Sequence, residues 1–269
     1  MLRCSLFLLS LSILLFVACG SGGQPEAETF TEVPRIVDLS YSFEETTLYW
    51  PNNKPFQHDE VAYGRTEAGY WYASFNFAAS EHGGTHLDAP VHFAEGKQSV
   101  EQIPIERHIG PGIKISIAEQ VSRDRDYRLT AADILAWEER AGRIPSGAIV
   151  LVHTGWGQYW GNRAEFLGSE KQDDASDLHF PGIAADAAEL LAGQREVAMV
   201  GIDTASLDHG PSQDFIAHRI LNGAGIPGLE NVANLEQLPE TGFLVVALPM
   251  KIAGGSGAPC RIVALLDAH

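Results

Sequence analysis

Cysteine is scarce in this chain, with three residues among 269. Cys4 and Cys19 lie in the first 20 residues, and Cys260 lies near the other end. A disulfide needs two cysteines in the same folded unit, so we expect none in the mature domain. Nothing near Cys260 has the spacing of a thiolate metal site. The fold must therefore be stabilised by a hydrophobic core, for which the chain is long enough.

Basic residues are also few. Lys and Arg total 18 against 35 Asp and Glu, which gives a formal net charge of −17. Loss of Arg3 with an N-terminal leader makes the charge −18, because one positive charge leaves. An acidic chain is a poor partner for nucleic acid or anionic lipid. We expect no nucleic-acid partner and attribute the charge to solubility.

The sequence signatures of two other catalytic classes are absent. The chain has no G-x-S-x-G, which argues against a serine α/β-hydrolase. It has no G-x-x-x-x-G-K-[ST] loop for binding phosphates. The glycine-rich run at 254–257 lies between two predicted strands, and we interpret it as a turn rather than a dinucleotide loop.

The N-terminal apolar run, residues 6–17, is too short to span a bilayer comfortably. It fits the apolar core of a signal peptide, and Phe16-Val17-Ala18-Cys19 resembles the cleavage and lipidation site of bacterial lipoproteins. We predict a lipoprotein-type signal peptide over 1–18, a flexible tether over 19–34 and one domain over 35–269. The domain would then be exported and lipid-anchored at Cys19 in the cell envelope. Simple secretion with cleavage nearby, or an uncleaved anchor, remains open.

Four side chains of metal-binding type fall within eleven residues: His82, His86, Asp88 and His92. Imidazole and carboxylate groups at this density bind divalent metals and activate water. Their even spacing places them on one face of an extended backbone, although a straight strand would separate His82 from His92 by about 33 Å. The flanking Gly83-Gly84 and Ala89-Pro90 permit the required bends, and the glycines argue against a helix.

A second pair of candidate ligands, His218 and Glu230, lies twelve positions apart in the other half of the chain. The apolar pattern predicts a helix over 212–224, with Ser212 as its N-cap and a glycine at its end. His218 lies on this helix. Glu230 lies beyond the turn at 226–228 and so belongs to another element. Taken alone, either residue would more often be structural than a ligand.

Together the two constellations resemble the metal-dependent cyclase/kynurenine formamidase family, whose pattern is HxGTHxDxPxH followed by a His and a Glu twelve apart. Both spacings are met here, and the resemblance extends over residues 35–266. Five segments besides the motifs are similar to the family: 36–40, 49–51, 151–156, 200–208 and 254–261. His153 departs from the pattern, because the family more often has Arg there, and this puts the substrate in question.

The resemblance implies a role for each of these residues. Five would be metal ligands: His82, His86, Asp88, His218 and Glu230. Asp88 and Glu230 would contact both ions of a two-metal site, so one or two divalent ions, Zn²⁺ or Mn²⁺, are expected per subunit. His92 would be the general acid/base, and Trp50 would wall the substrate pocket. Asp203 and Asp208 could orient the metal-binding side chains by hydrogen bonding to them. A purely structural role is equally consistent with the sequence.

Strand-like and helical patterns alternate, which indicates an α/β or α+β fold with a central sheet. The predicted strands are 35–40, 70–77, 113–117, 148–153, 197–202, 243–248 and 261–265, and the predicted helices are 130–140, 183–191 and 212–224. At least one of Tyr70, Trp71 and Tyr72 is expected in the core. The resemblance implies one α/β domain, a swivelling β/β/α barrel with a mixed central sheet.

The chemistry implied is hydrolysis of an amide-type bond by metal-activated water, with His92 moving the proton. The best-known family assignment is arylformamidase action on N-formylkynurenine in tryptophan catabolism, which the predicted export weakens. An isatin-type lactam or lactone hydrolase is the alternative enzyme. A non-catalytic envelope protein that binds metal or a small molecule is the other class, but binding alone would not need His92. The substrate is expected to be a planar aromatic amide, and a homo-oligomer is expected by family analogy.

Overall fold

The computed structural model describes residues 34–266. The predicted signal peptide, the lipidation site at Cys19 and all but the last residue of the predicted tether lie outside these residues. No helix within 34–266 combines the length and apolarity needed to cross a bilayer.

Twelve strands are found among the described residues. They are β1 Arg35–Asp38, β2 Gln57–Arg65, β3 Trp71–Ala78, β4 His86–Asp88, β5 Ile109–Ser116, β6 Arg128–Leu129, β7 Ile149–His153, β8 Gly182–Ile183, β9 Met199–Ile202, β10 Gly228–Glu230, β11 Phe243–Pro249 and β12 Gly257–Leu266. The α-helices in this part of the chain are α1 Ala118–Val121, α2 Ala131–Ala141, α3 Arg163–Leu167, α4 Ala185–Leu190 and α5 Ile216–Gly223.

Seven of these strands close into a mixed barrel. Its order is β12-β11-β5-β7-β9-β10-β4, and β4 pairs back onto β12. The neighbours from β5 to β10 are parallel, and the remaining pairings are antiparallel. β1 pairs with residues 263–266 of β12, whereas β4 pairs with residues 257–259 of the same strand. The expected α/β barrel with a mixed sheet is therefore confirmed.

Alternation along the buried strands separates two cores. On β7, Ile149 and Leu151 belong to the cluster inside the barrel, while Val150 and Val152 belong to the cluster under the helices. Successive side chains of a strand point to opposite faces, so a strand covered on both sides becomes a continuous apolar run. The inner cluster also contains Leu87 of β4. Because Leu87 points into the barrel, the residues on either side of it in β4 point outwards.

The predicted helix over 212–224 begins four residues later than expected. α5 starts at Ile216, and Ser212 is not its N-cap. Phe215, which precedes the helix, has φ 48° and ψ 46°, a left-handed conformation that interrupts the helical path. The Ser212 hydroxyl accepts a hydrogen bond from the Phe215 amide, so it stabilises the turn before the helix.

The second difference between the structure and the sequence-based prediction is a β-hairpin. β2 was not predicted, and with β3 it forms a separate two-stranded sheet. Tyr70, Trp71 and Tyr72 lie at its tip and are 62%, 57% and 50% exposed, so the expectation that at least one packs in the core is wrong. The Thr130 N-cap of α2 agrees with expectation, because its hydroxyl and the Asp133 carboxylate form a capping box.

Candidate metal centre

Two short strands of the barrel wall, β4 and β10, carry three of the candidate ligands. They pair antiparallel, and His86 lies directly opposite Glu230. Leu87 on β4 and Leu229 on β10 point into the barrel, so their neighbours point outwards. His86, Asp88 and Glu230 consequently share the outer face, and all three are buried there.

Glycines on both sides of Asp88 make room for the ligands. Gly228 of β10 and Gly257 of β12 are the residues paired with Asp88. A Cβ at Gly228 would lie 3.4 Å from Asp88 Oδ2 and 2.9 Å from a Leu207 methyl carbon. A Cβ at Gly257 would lie 2.5 Å from His82 Cε1. Side chains on the neighbouring strands would therefore displace the carboxylate and imidazole that meet here.

His82 reaches the same point from the loop before β4. Gly84 in this loop has φ +58°, and a Cβ on Gly83 would lie 2.0 Å from a ring carbon of Tyr49, so both glycines are required by the bend. His82 Nδ1 lies 2.6 Å from Asp88 Oδ1. Its Nε2 lies 2.9 Å from the Ser256 hydroxyl, which is 2.7 Å from a Glu81 carboxylate oxygen.

His218 enters from the helical side, on the first turn of α5. The Asp208 carboxylate accepts hydrogen bonds from the backbone N–H groups of Ala217 and His218, at 2.8 and 3.1 Å. It also lies 2.7 Å from His218 Nδ1. This carboxylate caps the helix and orients the ring, so His218 Nε2 faces Asp88 Oδ2 at 3.2 Å and Glu230 Oε1 at 3.1 Å.

A divalent cation fits this donor set. His86 donates from Nδ1 to the Gly84 carbonyl at 2.9 Å, which leaves the Nε2 lone pair facing Asp88 and Glu230 oxygens at 3.3 and 3.4 Å. His86 Nε2 is buried without a hydrogen-bond partner. An imidazole lone pair that faces carboxylate oxygens is repulsive unless a proton or a metal ion lies between them. Five residues meet there, His82, His86, Asp88, His218 and Glu230, and they match the nitrogen and oxygen ligands of Zn²⁺ or Mn²⁺.

The charges of these groups are strongly coupled. Burial favours the neutral form of Asp88, but the neighbouring imidazoles, led by His86, hold its pKa well below the usual range. For His86, burial by itself lowers the pKa, but the charge and hydrogen bonding of Asp88, together with the charge of Glu230, raise it to about 9. Burial and the charge of Asp88 together raise the pKa of Glu230. Such mutual dependence of buried acids and bases is typical of a functional site.

His92 lies beside the ligands, in the 3₁₀ turn Pro90–His92 that follows β4. Its ring stacks on that of His82, with centroids 3.9 Å apart and planes 19° apart. A ligand nitrogen of His92 also lies within 4.8 Å of ligand atoms of His82 and Asp88. Burial lowers the pKa of His92 to about 3, so its imidazole is neutral at physiological pH.

A cavity of about 220 Å³ opens onto this centre. Trp50 lines it, together with Phe93, Phe215 and Leu167. The Trp50 and Phe93 rings lie 6.1 and 5.3 Å from Phe215. Among the lining residues in the described part of the chain, none is Lys or Arg. The cavity is therefore small, aromatic on one side and, among the described lining residues, without lysine or arginine.

Several supporting residues escaped prediction or act elsewhere. Phe93 and Phe215 were missed because nothing in the sequence distinguishes a pocket aromatic from a core aromatic. Of the two aspartates considered for orienting ligands, Asp208 contacts His218, but Asp203 instead accepts hydrogen bonds from Thr154 and the Gly155 amide. His153 lines a different cavity. Trp156 is buried in the core and donates to the Phe166 carbonyl.

The sequence and the fold are similar to those of known proteins. The family model named Cyclase matches residues 37–209. The isatin hydrolase of Roseibium aggregatum is 35% identical over 194 residues, covering 69% of this chain and 72% of that protein. The kynurenine formamidase of Salinibacter ruber is 28% identical over 233 residues, covering 87% and 98%. The solved isatin hydrolase A of Ralstonia solanacearum has a TM-score of 0.80 and 35% identity, covering 87% of this chain and 92% of its own.

Proposed function

From the premise that this chain belongs to the cyclase family and is a metal-dependent hydrolase of amide bonds, we propose that its substrate is a compact cyclic aromatic amide of the isatin type. The absence of Lys and Arg among the described cavity-lining residues carries this proposal. N-formylkynurenine has an amino-acid carboxylate, for which the described lining residues of the cavity offer no lysine or arginine partner. A neutral bicyclic lactam needs none.

The size of the cavity also favours a compact substrate. Pockets for drug-sized ligands usually measure about 300–1,000 Å³, and this cavity measures about 220 Å³. A planar fused ring would lie against Trp50 and Phe215 with its reactive carbonyl towards the imidazoles. The longer side chain of N-formylkynurenine would have to extend out of the cavity. The similarity to kynurenine formamidases over most of their length keeps arylformamidase action as the second candidate.

In the proposed mechanism, one or two ions of Zn²⁺ or Mn²⁺ would be held by five residues: His82, His86, Asp88, His218 and Glu230. When bound, a divalent ion lowers the pKa of water and stabilises negative charge on a carbonyl oxygen. His92 takes the proton from water as the water oxygen adds to the amide carbon. His92 then returns the proton to the nitrogen as the C–N bond breaks, which its stacked position beside the ligands allows.

The test measures turnover of isatin and of N-formylkynurenine by the chelated protein, before and after Zn²⁺ or Mn²⁺ is restored, with bound metal counted by elemental analysis. We expect restored turnover of isatin, with kcat/KM well above that for N-formylkynurenine. His92→Ala should retain the metal and lose about 10²- to 10⁴-fold in kcat. His153→Ala, in the other cavity, is the matched control. Preferred turnover of N-formylkynurenine would reject the lactam proposal and leave the hydrolase assignment intact.

We also propose export and lipid anchoring at Cys19, supported by the apolar run at 6–17 and the Phe16–Cys19 segment. Mass spectrometry of the mature N-terminus should find a diacylated Cys19, and Cys19→Ala should abolish both this acylation and cleavage before residue 19. An intact Met1, or an N-terminus at another residue, would contradict this localisation. A homo-oligomer is the final part of the proposal, supported by analogy with the family.

A further inference from the structure

The glycine-rich segment 254–257, which leads into β12, lies against the loop that carries His82. One carboxylate oxygen joins the two segments. Glu81 Oε2 accepts hydrogen bonds from the Ser256 backbone N–H at 2.9 Å, from the Ser256 hydroxyl at 2.7 Å and from the Gly257 N–H at 3.3 Å. Three donors that converge on one oxygen atom hold the Ser256 side chain beside the carboxylate.

The Ser256 hydroxyl also contacts the ring of His82. Its Oγ lies 2.9 Å from His82 Nε2, and Nδ1 on the other side of the ring lies 2.6 Å from Asp88 Oδ1. A continuous series of hydrogen-bonding atoms therefore connects the Glu81 carboxylate with the candidate metal centre. We call the first three members of this series, Glu81, Ser256 and His82, the Glu81 relay. All three are partly buried, so water competes less with their hydrogen bonds.

The direction of hydrogen bonding in the Glu81 relay is determined at its carboxylate end. A backbone N–H group can only donate, and two of them point at Glu81 Oε2, so this oxygen atom is an acceptor. The Ser256 hydroxyl donates its one hydrogen to the same oxygen, which leaves Ser256 Oγ to accept from His82 Nε2. A neutral imidazole with its hydrogen on Nε2 has its lone pair on Nδ1, the atom that faces Asp88.

We propose that Glu81 is a positioning residue, which acts through Ser256 to present the Nδ1 lone pair of His82 to a metal ion. Without the carboxylate, the hydroxyl would be free to rotate and donate to Nε2. The ring hydrogen would then move to Nδ1 and block the ligand atom. Hydrogen bonds behind metal-binding histidines typically contribute about 10- to 100-fold to metal affinity. The inference rests on the proposed metal centre and is independent of the substrate.

The other two candidate histidine ligands are supported directly. His86 Nδ1 donates to the Gly84 carbonyl, and His218 Nδ1 lies against the Asp208 carboxylate. The His82 side chain is 18% exposed, whereas those of His86 and His218 are 3% and 4% exposed. A ring with less packing around it depends more on its hydrogen bonds for a single orientation. The Glu81 relay therefore supports the ligand that packing restrains least.

The position of His92 depends on the same ring. The His92 and His82 rings are stacked, with centroids 3.9 Å apart. Rotation of His82 would therefore displace the proposed general acid/base as well as a metal ligand. Loss of the Glu81 relay should consequently lower kcat even when Zn²⁺ is saturating.

The first experiment measures the dissociation constant for Zn²⁺, by competition between the metal-free full-length chain and a chelating dye. Glu81→Ala and Ser256→Ala should each weaken Zn²⁺ binding about 10- to 100-fold. Ser256→Thr keeps the hydroxyl and should bind Zn²⁺ as wild type does. Glu95→Ala, which removes an exposed carboxylate near His92 in sequence, is the matched control and should also leave the affinity unchanged. Wild-type affinity in Glu81→Ala would overturn the proposal.

A double-mutant cycle separates the relay from a general scaffolding role of Glu81. In the Ser256→Ala background, Glu81→Ala should cause no further loss of Zn²⁺ affinity, because the hydroxyl through which Glu81 acts is already absent. It would still remove the bonds to the backbone N–H groups of residues 256 and 257, so the melting temperature should fall in both backgrounds. An equal loss of affinity in both backgrounds would show that Glu81 acts through the backbone, and would overturn the proposal.

The second experiment identifies the nitrogen atom of His82 that binds the metal. The Zn²⁺-loaded full-length chain, isotope-labelled on its histidine nitrogens, is examined by long-range proton–nitrogen correlation spectroscopy, and His82 is assigned from the signals missing in His82→Asn. Wild type should show Nδ1 bound to the metal and Nε2 carrying the hydrogen. Coordination through Nε2 would overturn the proposal and leave the metal centre intact. A wild-type chain that binds neither Zn²⁺ nor Mn²⁺ would overturn both.

Discussion

The Asp208 carboxylate lies 2.7 Å from His218 Nδ1 and also accepts the His218 backbone N–H at 3.1 Å. One carboxylate therefore fixes both the ring and the backbone of the same residue. Because Nδ1 is engaged, Nε2 alone faces Asp88 and Glu230. The orientation of this ring is set by the helix terminus and needs no metal to establish it.

Asp208→Asn should weaken metal binding about 10- to 100-fold. The asparagine amide can turn its NH₂ group towards Nδ1 of His218, and it would then no longer hold the ring in one orientation. Metal affinity is measured by competition with a chelating dye. Asp203→Asn is the control, since this buried aspartate contacts Thr154 and Gly155 and no candidate ligand. Equal loss of affinity in both variants would show that general destabilisation, rather than ring orientation, is the cause.

Gly257→Ala should reduce metal content, because the added methyl group would lie 2.5 Å from His82 Cε1 and force that ring away from Asp88. Gly223→Ala, at the end of α5, is matched in chemistry but meets nothing within 4 Å. It should leave metal content unchanged and, if anything, stabilise the helix by about 0.5–1 kcal/mol. Elemental analysis and thermal melting of both variants make the comparison, and full metal occupancy in Gly257→Ala would contradict the packing argument.

Asn52→Arg tests why the cavity should prefer a neutral substrate. Asn52 lines the cavity and is exposed, so an arginine there supplies a mobile cation at the rim. We expect kcat/KM for N-formylkynurenine to rise relative to isatin by up to about fivefold, the effect of a solvent-screened ion pair. Asn52→Gln should leave the ratio unchanged. A ratio unaffected by the arginine would mean that shape, not charge, selects the substrate.

The Glu138–Arg195 pair predicts a pH dependence of stability away from the candidate metal centre. Arg195 Nε and Nη2 each lie 2.6 Å from a Glu138 oxygen, and this hydrogen bonding lowers the pKa of Glu138. The stabilisation is complete above the unfolded pKa, about 4.3, and is lost as pH falls through the lower folded pKa. Glu138→Gln should therefore cost about 1.5–3 kcal/mol at pH 7 and progressively less in acid.

Urea unfolding of wild type and Glu138→Gln across pH 3–7 measures this difference. Glu240→Gln is the matched control, because the Arg140–Glu240 pair has two similar hydrogen bonds but is exposed. Its removal should cost less than about 1 kcal/mol. A Glu138→Gln penalty that is constant with pH would assign the effect to packing rather than to the charge.

The metal centre was the part of the molecule most accessible from sequence. Even spacing of His86 and Asp88 predicted a shared face, and β4 provides it. The turn before Glu230 predicted a separate element, which is β10. These inferences succeeded because strand periodicity and the effects of glycine and proline are local properties. The pairing of His86 with Glu230 joins residues 144 positions apart, and local patterns do not specify it.

The missed elements depend on long-range contacts or lack periodic burial. β4 and β10 are three residues each, too short for alternation to be recognised. The sequence of β2 is QHDEVAYGR, and none of its residues is buried in the structure. It therefore lacks the alternating apolar pattern that would predict a strand. The start of α5 depends on Asp208, eight residues before the helix, and on the left-handed Phe215. Helix-capping rules that consider only adjacent residues selected Ser212 instead.

β4 is three residues long, yet it bonds to β10 on one side and to β12 on the other, and so joins the two ends of the curved sheet. His86 and Asp88 lie on this closing strand, and Glu230 lies on its neighbour. An ion held there ties the closure of the barrel to metal supply, since a ligand at a hundredfold excess over its Kd adds about 2.7 kcal/mol to the folded state. Metal starvation would thus reduce the amount of folded protein as well as the catalytic rate of each folded molecule. The same three side chains would determine both quantities.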